Sequence, residues 1–232
     1  MKIFDAHTHI DYITPNFQPD VIGAIVCATK QSDWNQIVDL IKHDNRVYGA
    51  FGIHPWFVEN VCDDFDVCLE ILLKTNSDYM VGEIGLDKYK PNMENQLSVF
   101  IKQFEIATKL KRTVFIHCVG AWDKILHVLK QYKKSELPKI VIHDFNGNEN
   151  ILMQLLKYEN IYFSLSKNAL YGKNCRIEQI LLNKILVETD GKNVSLKDVV
   201  ENIMRIKNNS NTMNIIYDNT LGVLNNGQVA QN

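Results

Sequence analysis

Five of the seven histidines, His7, His9, His54, His117 and His143, stand at or just beyond the ends of short apolar runs, and so do Glu83 and Asp190. In the run KIFDAHTHI (2–10), Asp5, His7 and His9 alternate. On a strand that spacing turns all three to one side. Two imidazoles at i and i+2 on a strand end can share one metal ion. A carboxylate can bridge two cations where an imidazole cannot, and Glu83 in MVGEIGL is the candidate bridge. An aspartate at a strand end, such as Asp190, can ligate a metal or take a proton from an activated water. His43 and His127 fall in helical patterns and receive no role. Each feature alone has a plain structural reading: paired surface histidines, a hydrogen-bonded ring, a salt-bridged glutamate. Their repetition at one kind of position carries the signal.

The elements that must position these groups alternate. Eight β-branched or apolar runs read as strands: 2–10, 21–29, 47–53, 79–86, 113–119, 139–145, 160–166 and 184–190. Between and after them lie amphipathic patterns over roughly 32–43, 65–75, 94–110, 121–134, 149–158, 175–182 and 196–207. Their apolar residues recur at three and four, as in Phe100, Phe104, Ala107 and Leu110. Strands alternating with helices make βαβ units and a parallel sheet. Eight of them predict an α/β fold, a (β/α)8 TIM barrel, built as a single domain over residues 1–232. Only a short stretch with Pro15 and Pro19 separates the first two strands, so the first crossover helix is expected to be reduced. Two closing helices are expected within 194–224, followed by a frayed tail, NNGQVAQN. In such a barrel the C-terminal strand ends form one rim, where catalytic groups collect.

Composition narrows the function. Apolar residues make up 46% and charged residues 22%, which excludes a disordered, collagenous or coiled-coil chain. A net charge of −2 argues against a protein that coats nucleic acid nonspecifically. No stretch reads as a signal segment or a membrane span, and the odd count of five cysteines without a CxxC points to free thiols in a reducing cytoplasm.

The blocks FDAHTHID, GIHPW, VGEIGLD, FIHC, IHDFNG and LVETDG occur in this order, with Gln96, Phe100, Gln103 and Ala107 spaced ahead of His117. From Phe4 to about Gly191 they resemble the signature blocks of the TatD family of metal-dependent hydrolases, within the amidohydrolase-type barrels. The resemblance implies a site for two or three divalent cations and a phosphodiesterase, a deoxyribonuclease acting on single-stranded DNA ends or a small phosphodiester. By position, His7 and His9 would hold the first metal, Glu83 would bridge, and His117 and His143 would hold the second. Asp190 would complete the first metal's shell and act as general base. His54 would sit near the substrate phosphate, and Asp5 would orient a ligand histidine. The histidine-rich set leans to Zn²⁺ or Mn²⁺ over Mg²⁺.

Two departures bear on substrate. Val119 stands where the family often carries a basic residue, and Gly191, Lys192 and Asn193 follow Asp190 without the family's proline. Lys88, Lys90, Lys167 and Lys192 follow strands and are candidates to meet phosphates, with Tyr12, Trp56, Phe57 and Trp122 as candidate stacking rings. Two other readings stand beside the nuclease: a hydrolase of a small amide, ester or lactone on the same barrel, and a metal-binding scaffold without turnover.

Overall fold

A computed structural model of the chain describes residues 2–12, 18–172 and 176–225. Eight strands pair in sequential order, each parallel to the next. They are β1 (Ile3–Thr8), β2 (Val21–Cys27), β3 (Val47–Phe51), β4 (Met80–Asp87), β5 (Val114–Val119), β6 (Ile140–Ile142), β7 (Ile161–Leu165) and β8 (Ile185–Val187). The helices are α1 (Asp33–His43), α2 (Phe65–Thr75), α3 (Met93–Leu110), α4 (Trp122–Leu129), α5 (Glu149–Leu155), α6 (Lys167–Tyr171), α7 (Leu196–Lys207) and α8 (Thr212–Leu224). The expected (β/α)8 barrel is therefore what forms, and it is nearly closed. Its seam is tied at the rim, where the Asp190 N–H donates to the His7 carbonyl at 3.0 Å.

Period-two alternation sorts the strand residues. Phe4, Ala6, Ile25, Cys27, Ala50, Met80, Phe115, Val141 and Leu186 fill the interior with Val223 and Leu224 of α8. Neighbours such as Val26, Phe51, Val81, Ile116 and Ile142 pack outward in the larger cluster under the helices. The helix–barrel layer and the barrel interior are thus two cores separated by the sheet, as a closed barrel requires.

Two features aim the rim. β4 is buried throughout and changes register between Val81 and Ile84. A Cβ at Gly85 (φ +153°) would lie 1.9 Å from the His117 carbonyl oxygen, so β4 and β5 approach there as only glycine permits. On the outer side, Gln103 of α3 accepts from the Ile53 N–H at 2.7 Å and donates to the Ile53 carbonyl at 3.2 Å. Gln96 accepts from the Asp87 N–H at 2.8 Å and donates to the Pro91 carbonyl at 2.8 Å. One helix thereby clamps the chain beyond β3 and beyond β4.

Several boundaries differ from expectation. Among the described residues, only a short 3₁₀ turn, Ile10–Tyr12, lies between β1 and β2, in keeping with a reduced first crossover. The helix expected over 121–134 stops at Leu129, where the buried repeat of Trp122, Ile125, Leu126 and Leu129 runs out. That over 149–158 stops at Leu155. In place of a helix over 175–182 stand 3₁₀ turns at Ile177–Gln179 and Leu182–Lys184. Ile177 and Ile180 are buried three apart while Leu181 is 63% exposed, a spacing that suits a three-residue turn better than an α-helix. α6 and the 3₁₀ turn Pro55–Asn60 were not legible as periodic segments. Cys175, all but the first residue of the expected frayed tail and the side chain of Tyr12 lie outside the described residues. Cys27, Cys62, Cys68 and Cys118 are free thiols.

Candidate active site

Glu83 lies at the centre of the rim, fully enclosed, and its two oxygens face different groups of rings. Oε2 stands 3.2 Å from His7 Nε2 and 3.5 Å from His9 Nε2. Oε1 stands 2.9 Å from His117 Nδ1, 3.6 Å from His54 Nε2 and 3.7 Å from His143 Nε2. Asp190 closes the ring from β8: its Oδ1 is 3.5 Å from His9 Nε2, 3.6 Å from His143 Nε2 and 4.0 Å from His7 Nε2. Asp190 holds a left-handed backbone (φ 54°), an unusual conformation for a residue with a side chain. Residues within β1, β4 and β5 and residues beyond the ends of β1, β3, β6 and β8 thus converge.

Contacts behind the rings fix which nitrogen faces inward. His9 Nδ1 lies 3.0 Å from the Cys27 carbonyl, which accepts a hydrogen from it and leaves the Nε2 lone pair toward Glu83. His143 Nδ1 lies 2.6 Å from Glu188 Oε1, and Glu188 is wholly buried. His54 differs. Its Nδ1 accepts from the Trp56 N–H at 3.2 Å, so the neutral ring carries its hydrogen on Nε2 and presents a donor to the site.

The charge balance follows from burial. Burial drives the His7 ring down to about 4 and the His54 ring down to about 3, so both are neutral bases at physiological pH. Burial also opposes charge on Glu83, but the His54, His7 and His143 rings around it hold its carboxyl well below the usual range. Burial likewise works against the Asp190 carboxylate, and the His9 hydrogen bond with the His143 and His7 rings outweighs it. For His143 the burial penalty is overcome by the Glu188 carboxylate, which carries the ring up to about 10.

These residues fit divalent cations. No aligned hydrogen bond reaches either ring nitrogen of His7, and none reaches His117 Nε2, although all are buried. Buried polar atoms without partners are costly. Three ligand sets have their atoms within 4.8 Å of one another: His7, His9 and Glu83; His7, His143 and Asp190; and His54, Glu83 and His117. Four imidazoles, of which His143 would give up its proton on binding, and two carboxylates form a mixed N/O donor set of the kind that holds a divalent cation. The Nε2–H of His54 makes that residue a hydrogen-bond donor in the third set and leaves Glu83 and His117 as its ligands.

All six sequence-expected metal ligands and His54 therefore meet at one place, with two adjustments. His143 groups with His7, on which its ring stacks at 4.0 Å, and with Asp190, while its ring lies 6.0 Å from that of His117. Asp5 touches no imidazole nitrogen. Its carboxylate accepts from the Thr189 N–H (2.9 Å), the Thr189 hydroxyl (2.6 Å) and the His7 backbone N–H (3.3 Å), and so laces β1 to the end of β8. Trp122 is buried against Phe145 and is no rim platform. Lys192 pairs with Asp190 Oδ2. Sequence reasoning gave no role to Asp87 as the acceptor for the Trp56 indole, or to Glu188 behind His143. Asp87 and Glu188 do occupy strand-end positions.

A barrel whose C-terminal rim gathers histidines and carboxylates in this way is the arrangement of a metal-dependent hydrolase. Residues 4–224 match the model of the TatD related DNase family, and the chain belongs to that family. It is 32% identical over 160 residues to a human protein named 3'-5' RNA nuclease TATDN2, a match covering 66% of this chain and 21% of that much longer one. It is 26% identical over 197 residues to the 3'-5' ssDNA/RNA exonuclease TatD of Escherichia fergusonii, covering 82% of this chain and 75% of that protein. In structure it resembles YjjV, a TatD homologue of Escherichia coli K12, with a TM-score of 0.83, 21% identity and coverage of 95% and 97%.

Proposed function

We propose that the chain is a divalent-metal-dependent phosphodiesterase that cleaves single-stranded nucleic acid, with His7, His9, Glu83, His117, His143 and Asp190 as metal ligands. The observation that carries this reading is the division of labour at Glu83, one oxygen toward the His7/His9 pair and the other toward His117. A carboxylate placed this way could serve two neighbouring cations, one with each oxygen. Family membership and the nucleases named among its relatives support a phosphodiester over a small amide, ester or lactone. Two or three divalent ions, Zn²⁺, Mn²⁺ or Mg²⁺, would supply Lewis acidity toward a phosphoryl oxygen and toward the attacking water.

The chain's own groups do the rest. Asp190 Oδ1 faces the centre and accepts the proton released by the water. His54 donates from Nε2 to a phosphate oxygen, its tautomer set by the Trp56 N–H. Glu188 holds the His143 ring. Positive charge for the substrate strand comes from the rim: the Lys88 side chain packs beside Gly120, 3.2 Å from where a Cβ would stand, next to the uncharged Val119. No helix among the described residues is long and apolar enough to cross a membrane. The free cysteines suit a reducing compartment such as the cytoplasm.

The test is hydrolysis of a labelled single-stranded oligonucleotide and of bis-p-nitrophenyl phosphate with Mg²⁺, Mn²⁺ or Zn²⁺. Cleavage of both is expected, lost by 10³-fold or more, on the order of a missing general base, in Asp190→Asn. Inactivity on every phosphodiester by a metal-loaded, folded protein would refute the assignment.

A further inference from the structure

Trp56 is built into the rim in a way the hydrolytic reaction itself does not require. It is 53% exposed, whereas the chain's other tryptophans, Trp34 and Trp122, are 5% and 7% exposed. An exposed indole is ordinarily free to change rotamer. This one is held. Its Nε1–H donates to Asp87 Oδ2 at 2.7 Å, and Asp87 is itself buried and bonded by the Tyr89 N–H at 2.9 Å. Its backbone N–H donates to His54 Nδ1, and the two rings meet edge to face at 5.1 Å. The Lys90 ammonium lies 4.2 Å from the centre of the indole. A flat apolar surface is thus fixed beside the residue that faces the phosphate, with a cation against it. The next residue, Phe57, repeats the pairing more loosely, with the Lys30 ammonium 5.7 Å from its ring.

Resting on the nuclease reading above, we propose that Trp56 and Lys90 form the nucleotide-positioning clip of this enzyme. The indole stacks on the unpaired base next to the scissile phosphate, and Lys90 meets the phosphate of that nucleotide. The occupant follows from the chemistry of the surface: a planar π-face with an adjacent anion is a nucleotide, and only an unpaired base offers its face. A paired duplex keeps its bases stacked, so the clip selects single strands. Through its N–H to His54 Nδ1, Trp56 also links base stacking to the orientation of the phosphate-facing ring. Trp56 is a positioning residue, and its loss should act on KM for base-bearing substrates.

Two readouts test this. The first is tryptophan emission, because Trp56 is the exposed fluorophore. A single-stranded oligonucleotide should quench it strongly, and an abasic strand of equal length and charge should quench it several-fold less, in chelated or Mg²⁺-loaded protein. The second is kinetic. Trp56→Leu should lose roughly tenfold more kcat/KM on the normal strand than on the abasic strand, mostly in KM, from the ordinary worth of one stacked base. Trp56→Phe keeps a stacking face and should recover much of that difference. Equal quenching by the two strands, no quenching in either metal state, or equal kinetic losses on both strands would overturn the clip. Bis-p-nitrophenyl phosphate separates the two claims: a protein that cleaves it without base discrimination refutes the clip alone. A protein inactive on every phosphodiester refutes the hydrolase reading, while the emission titration still decides whether bases stack on Trp56.

Discussion

Replacing Gln103 by leucine should uncouple the scaffold from the site in a measurable way. Gln103 is fully buried on α3, and its side-chain amide serves both polar groups of Ile53, the residue just before His54. Leucine matches its size and offers no hydrogen bond. The Ile53 N–H and C=O, on a residue only 2% exposed, would then be buried without partners. Each such group costs about 1–3 kcal/mol, and the carbonyl's second lone pair puts it at the low end. The sum is roughly 2–4 kcal/mol, a large share of the ~5–15 kcal/mol typical of a domain. In a chain of this length that lowers Tm by about 4–16 °C. Urea denaturation of both proteins measures the loss, and phosphodiesterase rates measure the accompanying displacement of His54. Gln103→Glu keeps an acceptor for the Ile53 N–H but opposes its other oxygen to the Ile53 carbonyl, so it should be destabilised as well. A Gln103→Leu protein within ~0.5 kcal/mol of the parent would show that α3 does not hold the β3 end.

Further outcomes concern the seam and the cations. Asp5→Asn removes one of the acceptor oxygens that tie Thr189 and His7 together, and should cost about 1–3 kcal/mol in urea; an unchanged midpoint would remove Asp5 from the seam. Glu188→Gln should weaken Mn²⁺ binding about 10- to 100-fold by calorimetry, because the His143 ring loses its carboxylate support. Binding of unaltered strength would leave Glu188 a merely buried acid. Adding Mn²⁺ at about 100 times its Kd to chelated protein should stabilise it by ~2.7 kcal/mol in a thermal melt. Because imidazoles bind metal only when unprotonated, and Glu188 carries the His143 ring up to about 10 while burial holds His7 down at about 4, Mn²⁺ must displace a proton from His143 and its affinity should fall as pH drops, and an affinity unchanged between pH 8 and pH 5 would contradict ligation by His143.

The parts of this molecule that were legible from sequence are those governed by short-range periodicity. α2 and α7 fall on the expected 65–75 and 196–207, because their apolar stripes start and stop with the helix. The ligand histidines were legible because they end apolar strands and a parallel barrel brings all strand ends to one rim. What was not legible depends on contacts across the fold. Gln96 and Gln103 sit within the apolar stripe of α3, and their partners are backbone groups of other segments. Their presence on a buried face was a signal, but what they hold was not. Trp56 and Trp122 looked alike as aromatics after strands, yet one is half exposed and the other packed under Phe145. The grouping of His143 with His7 depends on stacking between β1 and β6 ends, which no local pattern encodes.

The most direct test of the central claim is to titrate chelated protein with Mn²⁺ while following oligonucleotide cleavage and metal content in the same samples, in parallel with Glu83→Gln. Activity should rise with bound metal and saturate with it, and Glu83→Gln should bind less metal and cleave at a small fraction of the rate. Cleavage that persists in fully chelated protein, or a Glu83→Gln protein that cleaves as fast as the parent, would contradict metal-dependent cleavage at this site.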